Sequence, residues 1–445
     1  RRPIKTVDGK GSAFGVDAKD RPGKVGKKLS SDIEIKELRT EVEVPGSKSL
    51  TQRALIAATL AEGSSLIRHP LIAEDTQHLI GGLKKLGAGI EKVDDGFVVT
   101  GTGGAIAGNV QEIFLGYNGT ALRFLTALVC LGRGRYVLTG EKRLCERPVG
   151  PLVDALQEMG VDITCRNNCP PVEIAANGLK GGRITLSNIE SSQYVSALLL
   201  CAPYTAKGIE LTLEGSIVSA PYIDLTISVM NDFGAKILRT GQRHYLVGTQ
   251  NIYAGRDYYV EGDASSASYF FLAAALLKRK IRVNGISRQS AQGDIRLLDI
   301  MEQLGCMIES GKNWVEVSAL NLASGEWTLN LGDMPDMVPT VAILAAFRKG
   351  RTAITNVAHL RIKESNRLAA MVTELNRIGI QASELPDGLV IEGGQPHGAG
   401  IETYNDHRIA MSFAIAGLVT PGIEIADKKC VDKSFPEFWQ ELAKI

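Results

Sequence analysis

Cations recur in this 445-residue chain in small clusters, with one carboxylate set among them. Lys48 and Arg53 lie in VPGSKSLTQRAL, Arg123 in NGTALRFL, and Lys142, Arg143 and Arg147 in GEKRLCERPVG. Arg361, Lys363, Glu364 and Arg367 lie in HLRIKESNRL, and Arg408 follows Asp406 and His407. Such groups bind phosphates and carboxylates, arginine through a planar bidentate fork. Glu364 would stay ionised in this company, and would act as general acid or base only if burial raised its pKa. If HLRIKESNRL were helical, Lys363 and Arg367 would be i,i+4 neighbours with Glu364 beside them. PGSKS also holds part of a nucleotide P-loop. That pattern needs glycine directly before the lysine, where Ser47 stands, and a second glycine five residues earlier, where none occurs. The nucleotide reading fails.

The cations sit in a repeat. Polar residues open an Ala/Leu-rich helix, a Gly or Lys turn follows, and then a β-rich run. The form begins at Ser47, Asn118, Ser191, Asp263, Pro335 and Asp406, at intervals of 71, 73, 72, 72 and 71 residues. Between most of these lies a second, amphipathic helix that ends on a glycine: Gly87, Gly160, Gly234, Gly305 and Gly379. The unit reads as strand, helix, strand, helix, strand. Its first helix, apolar nearly all round, is predicted to be buried and its second to lie outside. A period above 70 residues is too long for a thin solenoid, so six small α/β units are expected, three in each of two lobes.

Each polar helix start is by itself an N-cap signature, and Pro335 suits a first helical position. The cations are different. A helix N-terminus already carries partial positive charge, so Lys48 and Arg408 in the first turn are unfavourable there, as are Arg53 and Arg123 on largely apolar helices. A bound anion would offset both terms, because free N–H groups point at it too. The helix starts are therefore predicted to face one cleft that takes a polyanionic small molecule.

Composition narrows the class. The chain is 44% apolar and 22% charged, with net charge +1, so no global field draws it to nucleic acid or membrane. No apolar run is long enough to span a bilayer. Its seven cysteines include no C-x-x-C, and Cys165 and Cys169, flanking Arg-Asn-Asn, lack partner ligands. Its six histidines include no H-x-x-x-H, so free thiols in a reducing compartment are expected and no metal is implied. Residues 1–31, Gly- and Lys-rich, read as a disordered basic arm. Serine is scarce there and acids are present, unlike a transit peptide.

Ordered motifs then carry a resemblance: PGSKSLTQRAL, LGYNGTALRFL, TGEKRLCERPVG, SSQYVSALLL, SAPYIDLT, VEGDASSASYF, QGDIR, MPD, RIKESNRL, TYNDHRIAMSFA and KSFPEFW. From about Ile33 to Ile445 the chain resembles the 5-enolpyruvylshikimate-3-phosphate synthase family of enolpyruvyl transferases. The resemblance implies a two-lobed, inside-out α/β barrel fold of six βαβαβ-type units. Residues 32–46 with 263–445 would form one discontinuous lobe and 47–262 the other, with crossings near Gly46 and Gly262. It implies transfer of the enolpyruvyl group of phosphoenolpyruvate to the 5-hydroxyl of shikimate 3-phosphate, in aromatic amino acid biosynthesis, without metal or organic cofactor. A monomer in the cytoplasm is expected, or in a plastid if the chain comes from a plant or alga.

Carried over by matching motif, Lys48, Ser49, Arg53, Ser191, Ser192, Gln193, Ser219, Tyr222, Asp336 and Lys363 would hold shikimate 3-phosphate. Lys48, Gly119, Arg147, Gln193, Arg367, Arg408 and Lys433 would hold phosphoenolpyruvate. Asp336 would orient or deprotonate the attacking hydroxyl, Glu364 would move the proton at the methylene carbon, and Lys48 would lie between both substrates. The chain departs from the family at Tyr117-Asn118, usually Asn-Ala or Asn-Ser, at Phe124, often Pro, and at His359, often Asn. The first two lie where the inhibitor glyphosate would bind; Gly119 is retained. Two alternatives remain. The sister family uses UDP-N-acetylglucosamine and has a reactive cysteine where Lys142 stands here. The other is a non-catalytic relative that binds phosphorylated ligands.

Overall fold

The computed structural model describes residues 40–445 apart from Asn109 and Asn251. The expected basic arm, residues 1–31, lies outside the described residues. Apolar side chains segregate into two cores. One runs from Leu50 to Val260. The other takes Val42 and Val44 and then continues from Ala264 to Phe438.

The six Ala/Leu-rich helices span Lys48–Leu60, Gly119–Val129, Ser192–Cys201, Ala264–Leu277, Val338–Phe347 and His407–Gly417. They are buried along nearly their whole circumference; in the fourth, every residue from Ala264 to Ala275 is buried. Their composition dictates this, since a helix apolar all round has no face to give to water. The amphipathic helices stop where the glycines predicted. Gly87, Gly160, Gly234, Gly305 and Gly379 have φ from 83° to 104°, the left-handed region that ends a helix cheaply only at glycine.

Five of the six units hold one strand more than the sequence suggests. The run after the second helix folds back on itself. Gly89–Val93 and Gly96–Thr100, for instance, pair antiparallel across a turn at Asp94-Asp95. Five four-stranded sheets result, each with one parallel edge strand, as in Asp257–Tyr259 beside Ser64–Arg68. The sixth unit is reduced to a two-stranded sheet, Gly400–Ile401 with Glu424–Ile425.

Two edge strands are exchanged. Thr40–Glu43, just before the first buried helix, pairs with Ile281–Asn284 of the fourth unit. Asp257–Tyr259, just before the fourth buried helix, pairs back with Ser64–Arg68 of the first. The two chain passages meet where Gly46 bridges Gly262. A Cβ on Gly46 would stand 1.9 Å from the His69 carbonyl oxygen, and one on Gly262 would stand 2.6 Å from that of Gly285. Glycine is required at both for close backbone approach.

Gly46→Ala is expected to lower the unfolding free energy by about 1–3 kcal/mol, because only backbone movement can relieve the clash. Gly81→Ala, on an exposed helix position with nothing within 4 Å of the new methyl, is expected to raise it by about 1 kcal/mol. Urea unfolding of the two variants checks both signs.

Candidate active site

All six buried helices point their N-terminal ends into one cleft of about 780 Å³. Lys48 and Ser49 come from the first helix, Asn118 to Thr120 from the second, and Ser191 to Gln193 from the third. Asp263 and Ser265, Pro335 and Asp336, and Arg408 come from the other three. Helices that are buried on all sides leave only their ends free to meet a ligand, and these ends offer unpaired N–H groups.

Five of the six helix starts carry a side-chain cap, and three of those caps, Asn118, Ser191 and Asp263, also line the cleft. Leu50 N donates to Ser47 Oγ, Ala121 N to Asn118 Oδ1 and Gln193 N to Ser191 Oγ. Ser266 N donates to Asp263 Oδ1 and Arg408 N to Asp406 Oδ1. The caps satisfy the helix starts, and residues beside them, Lys48, Gly119, Ser192 and Arg408 among these, also face the cleft. The fifth start differs. Pro335–Met337 is a 3-10 turn without a side-chain cap, so Asp336 is free to take other donors.

Asp336 accepts from Arg408 Nη2 at 2.8 Å and from Arg367 Nη1 at 2.7 Å. Glu364 accepts from Arg367 Nη2 at 2.7 Å and lies 3.8 Å from Arg147 Nη1. Arg367 also donates through Nε to Asp406 at 2.8 Å, and is 1% exposed. One buried guanidinium thus sets both cleft carboxylates against a third that caps the last helix. Burial pushes the Asp336 and Glu364 carboxyls up, but the cations outweigh it. Arg408, Arg367 and Lys363 hold Asp336 below the usual carboxylate range, and Arg367, Arg147 and Lys48 hold Glu364 well below it. Both are ionised at neutral pH, so burial does not make Glu364 an acid by itself. For Lys363 burial is again the largest influence. It outweighs the pull of Asp336 and Glu364 and, with Arg147 and Arg367, brings the ammonium down to about 8.

The segment around Lys363 is not the helix that HLRIKESNRL suggested. Ala358–Ile362 is a 3-10 turn, Lys363 to Ser365 form a bend, and the helix begins only at Arg367, capped by Asn366. Lys363 and Arg367 are therefore not i,i+4 neighbours on a helix. The bend is what lets Lys363 and Glu364 both line the cleft.

Every expected site residue except Arg367 and Lys433 lines the cleft. Arg367 stands behind the two carboxylates. Lys433, 4% exposed, donates to Asn405 O at 2.6 Å and sits 4.2 Å from the centroid of the Tyr117 ring. Arg53 lines the cleft but is largely spent on the protein, donating to Thr226 Oγ1, Ser49 O, Ser196 Oγ and Tyr222 O and stacking on Phe124 at 5.2 Å. A Cβ on Gly119 would meet Arg147 Nη1 at 2.6 Å, so the retained glycine lets that arginine approach the helix start. Ser219 holds φ 57°, a conformation costly for a residue with a side chain, while its N–H donates to Gly332 O at 3.1 Å.

Four residues that had no role assigned from the sequence join the site. Asp75 accepts from Lys48 Nζ at 3.2 Å. Arg123 Nη1 fixes Gln193 Oε1 at 2.9 Å and Gly119 O at 3.1 Å. His407 is 1% exposed with neither ring nitrogen bonded, and burial, then Lys48 and Arg408, hold it well below its ordinary pKa and so neutral. Asp294, from QGDIR, lies under Ser265 and Tyr222, where burial and then Asp336 raise it to about 7. Arg123, Asp294 and His407 all lie within quoted motifs and were open to being found. Asp75 gave only an acidic residue at an ordinary helix start.

Comparison with known proteins agrees with this geometry. A model of the family EPSP synthase (3-phosphoshikimate 1-carboxyvinyltransferase) matches residues 33–442. The chain belongs to the EPSP synthase family. It is thus a transferase with the two-lobed enolpyruvyl transferase fold. The 3-phosphoshikimate 1-carboxyvinyltransferase of Marinomonas sp. (strain MWYL1) is 41% identical over 407 residues, covering 90% of this chain and 95% of that one. The protein of that name from Vibrio atlanticus (strain LGP32) is 41% identical over 92% of this chain and 97% of its own. The solved EPSP synthase of Acinetobacter baumannii superposes with a TM-score of 0.75 at 28% identity, covering 91% of this chain and 95% of that one.

Removing Arg367 leaves Asp406, which is 0% exposed, without its cation. Arg367→Ala is expected to cost about 3–5 kcal/mol in urea unfolding at pH 7. Arg367 also helps to hold Asp336 and Glu364 below the usual carboxylate range. A depressed carboxylate contributes stability above its unfolded pKa and loses it as pH falls through the folded one, so the difference between variant and wild type should narrow as pH falls below about 4.

Proposed function

We infer that this chain transfers the enolpyruvyl group of phosphoenolpyruvate to the 5-hydroxyl of shikimate 3-phosphate, releasing phosphate. The observation that carries the reading is the convergence of six helix N-termini, with Lys48, Arg147, Lys363 and Arg408, on one cleft that also holds Asp336 and Glu364. Both substrates bear a phosphate and a carboxylate, and such a site suits them. We assign Ser191, Ser192, Gln193, Ser219, Tyr222, Ser49, Arg53 and Lys363 to shikimate 3-phosphate. Gly119, Arg147, Gln193, Arg367, Arg408 and Lys433 are assigned to phosphoenolpyruvate, and Lys48 lies between the two.

The reaction needs a proton taken from the hydroxyl and one delivered to the methylene carbon, and later removed from it. Asp336, ionised between Arg408 and Arg367, is assigned the hydroxyl. Glu364 is assigned the methylene carbon. In the free cleft it is held ionised by Arg367 and Arg147. Phosphoenolpyruvate brings negative charge to the same arginines, which weakens their hold and raises the Glu364 pKa. Loading the substrate would thus arm the carboxyl as an acid. The remaining cations stabilise the phosphate as it departs.

The two cores are taken as lobes, 32–46 with 263–445 and 47–262, that hinge where Gly46 meets Gly262. No helix among the described residues is long and apolar enough to cross a membrane. A monomer acting in the cytoplasm is the reading we adopt.

Phosphate release from phosphoenolpyruvate is expected with shikimate 3-phosphate and not with UDP-N-acetylglucosamine as acceptor; the reverse pattern would overturn the assignment. Glu364→Gln and Asp336→Ala are each expected to lower kcat at least about a hundredfold while KM changes little, as for groups used in the transition state. Near-normal turnover in either removes its role.

The pH dependence follows from Lys363. Its charge is lost as pH rises through about 8, so kcat/KM for shikimate 3-phosphate is expected to fall above that pH. In Lys363→Arg the fall should move to higher pH. A wild-type profile flat to pH 9.5 would remove Lys363 from phosphate binding.

A further inference from the structure

Arg143 lies in the loop that also carries Arg147, and the roles assigned above leave it unused. Its neighbours Leu144 and Val149 belong to the first core. Its guanidinium reaches the second. Nε donates to Lys363 O at 3.1 Å and Nη2 to Arg361 O at 3.3 Å, while Nη1 meets Glu146 of its own loop at 3.2 Å.

Those two carbonyls lie at the end of the 3-10 turn Ala358–Ile362. The last carbonyls of a helical turn lack donors of their own and carry partial negative charge, so a cation is suited to them. The bend that follows, Lys363 to Ser365, has no helical ladder to hold it. It is also anchored by Ser365 Oγ, which donates to Asp406 Oδ2 at 2.9 Å, and by Glu364, which accepts from Arg367 Nη2 at 2.7 Å. Two arginines of one loop therefore grip one bend. Arg143 holds its backbone, and Arg147 approaches the Glu364 carboxylate at 3.8 Å. The contact to Glu146 is exposed and worth little by comparison.

We propose that Arg143 is a positioning residue: by capping the Arg361 and Lys363 carbonyls from the opposite core, it sets the bend that presents Lys363 and Glu364 to the cleft. Approach of the two lobes and completion of the proton-handling site then become one event. The proposal rests on the roles given to Lys363 and Glu364 above.

Arg143→Ala and Arg143→Lys test it, by steady-state kinetics with both substrates and by small-angle scattering with and without shikimate 3-phosphate. Arg143 is about one-third exposed, so its loss should leave the core intact. In Arg143→Ala, kcat is expected to fall roughly tenfold to a hundredfold, as for loss of charged hydrogen bonds. KM for phosphoenolpyruvate should change less than about threefold, and the compaction on binding should weaken. Arg143→Lys should be intermediate, since a single ammonium lacks the fork that spans both carbonyls. A kcat within about twofold of wild type in Arg143→Ala, or a rise in KM with kcat unchanged, overturns the proposal. If the alanine variant does not fold, Arg143→Gln decides by the same criteria. A wild type that releases no phosphate with either acceptor overturns the reading of the reaction instead.

Discussion

Six helix N-termini aimed at one point are a large unfavourable charge. Each carries about half a unit of positive charge, so together they place about three units around one cleft. Lys48, Arg53, Arg147, Lys363 and Arg408 add five more. Asp75, Asp263, Asp336 and Glu364, interleaved among them, return four. The side chains alone are close to balanced, and the dipoles leave the cleft positive. Such a site holds together as protein because its cations have carboxylate partners. It retains a demand for anions because those partners do not match the dipoles. Asp336 and Glu364 are both counter-ions of the empty cleft and proposed proton carriers of the filled one, so substrate charge alters the very partners that fix their pKa.

The same constraint binds the site to the chain path. Asp263 caps the fourth buried helix through Ser266 N at 2.7 Å and also accepts from Lys48 N, at the start of the first, at 3.1 Å. These helices follow directly on the two passages that meet at Gly46 and Gly262. One carboxylate thus ties two helix starts from different cores beside the point where the chain changes core. The exchange of edge strands serves the same end, since each core takes its closing strand from the segment that leads into the other. Contacts from the Arg143 and Tyr117 side of the cleft to Lys363 and Lys433 add a second junction.

Much of this was legible in the residues. The period, the buried helices, the left-handed glycines and the polar helix starts all follow from local patterns, because each is written within one turn or one strand. The cap reading of the helix starts is met at five of the six, and their convergence on one cleft is observed. The fourth strand of the five larger sheets was not legible, because a hairpin in a short β-rich run is settled by pairing with a neighbour rather than by the run itself. The bend at Lys363 to Ser365 runs against a plausible helical pattern, and groups distant in the chain meet it there: Arg143 donates to the Lys363 carbonyl and Asp406 accepts from the Ser365 hydroxyl.

The sequence by itself determined which side chains could meet an anion and that six equivalent units would present them. Spacing and residue type carry that much. Only the tertiary structure decided that Arg367 is shared among Asp336, Glu364 and Asp406, that Asp75 neutralises Lys48, and that His407 is shut away from every partner. Those decisions join residues from 3 to 39 positions apart in the chain, and the protonation state of a buried group depends on such neighbours far more than on its own identity.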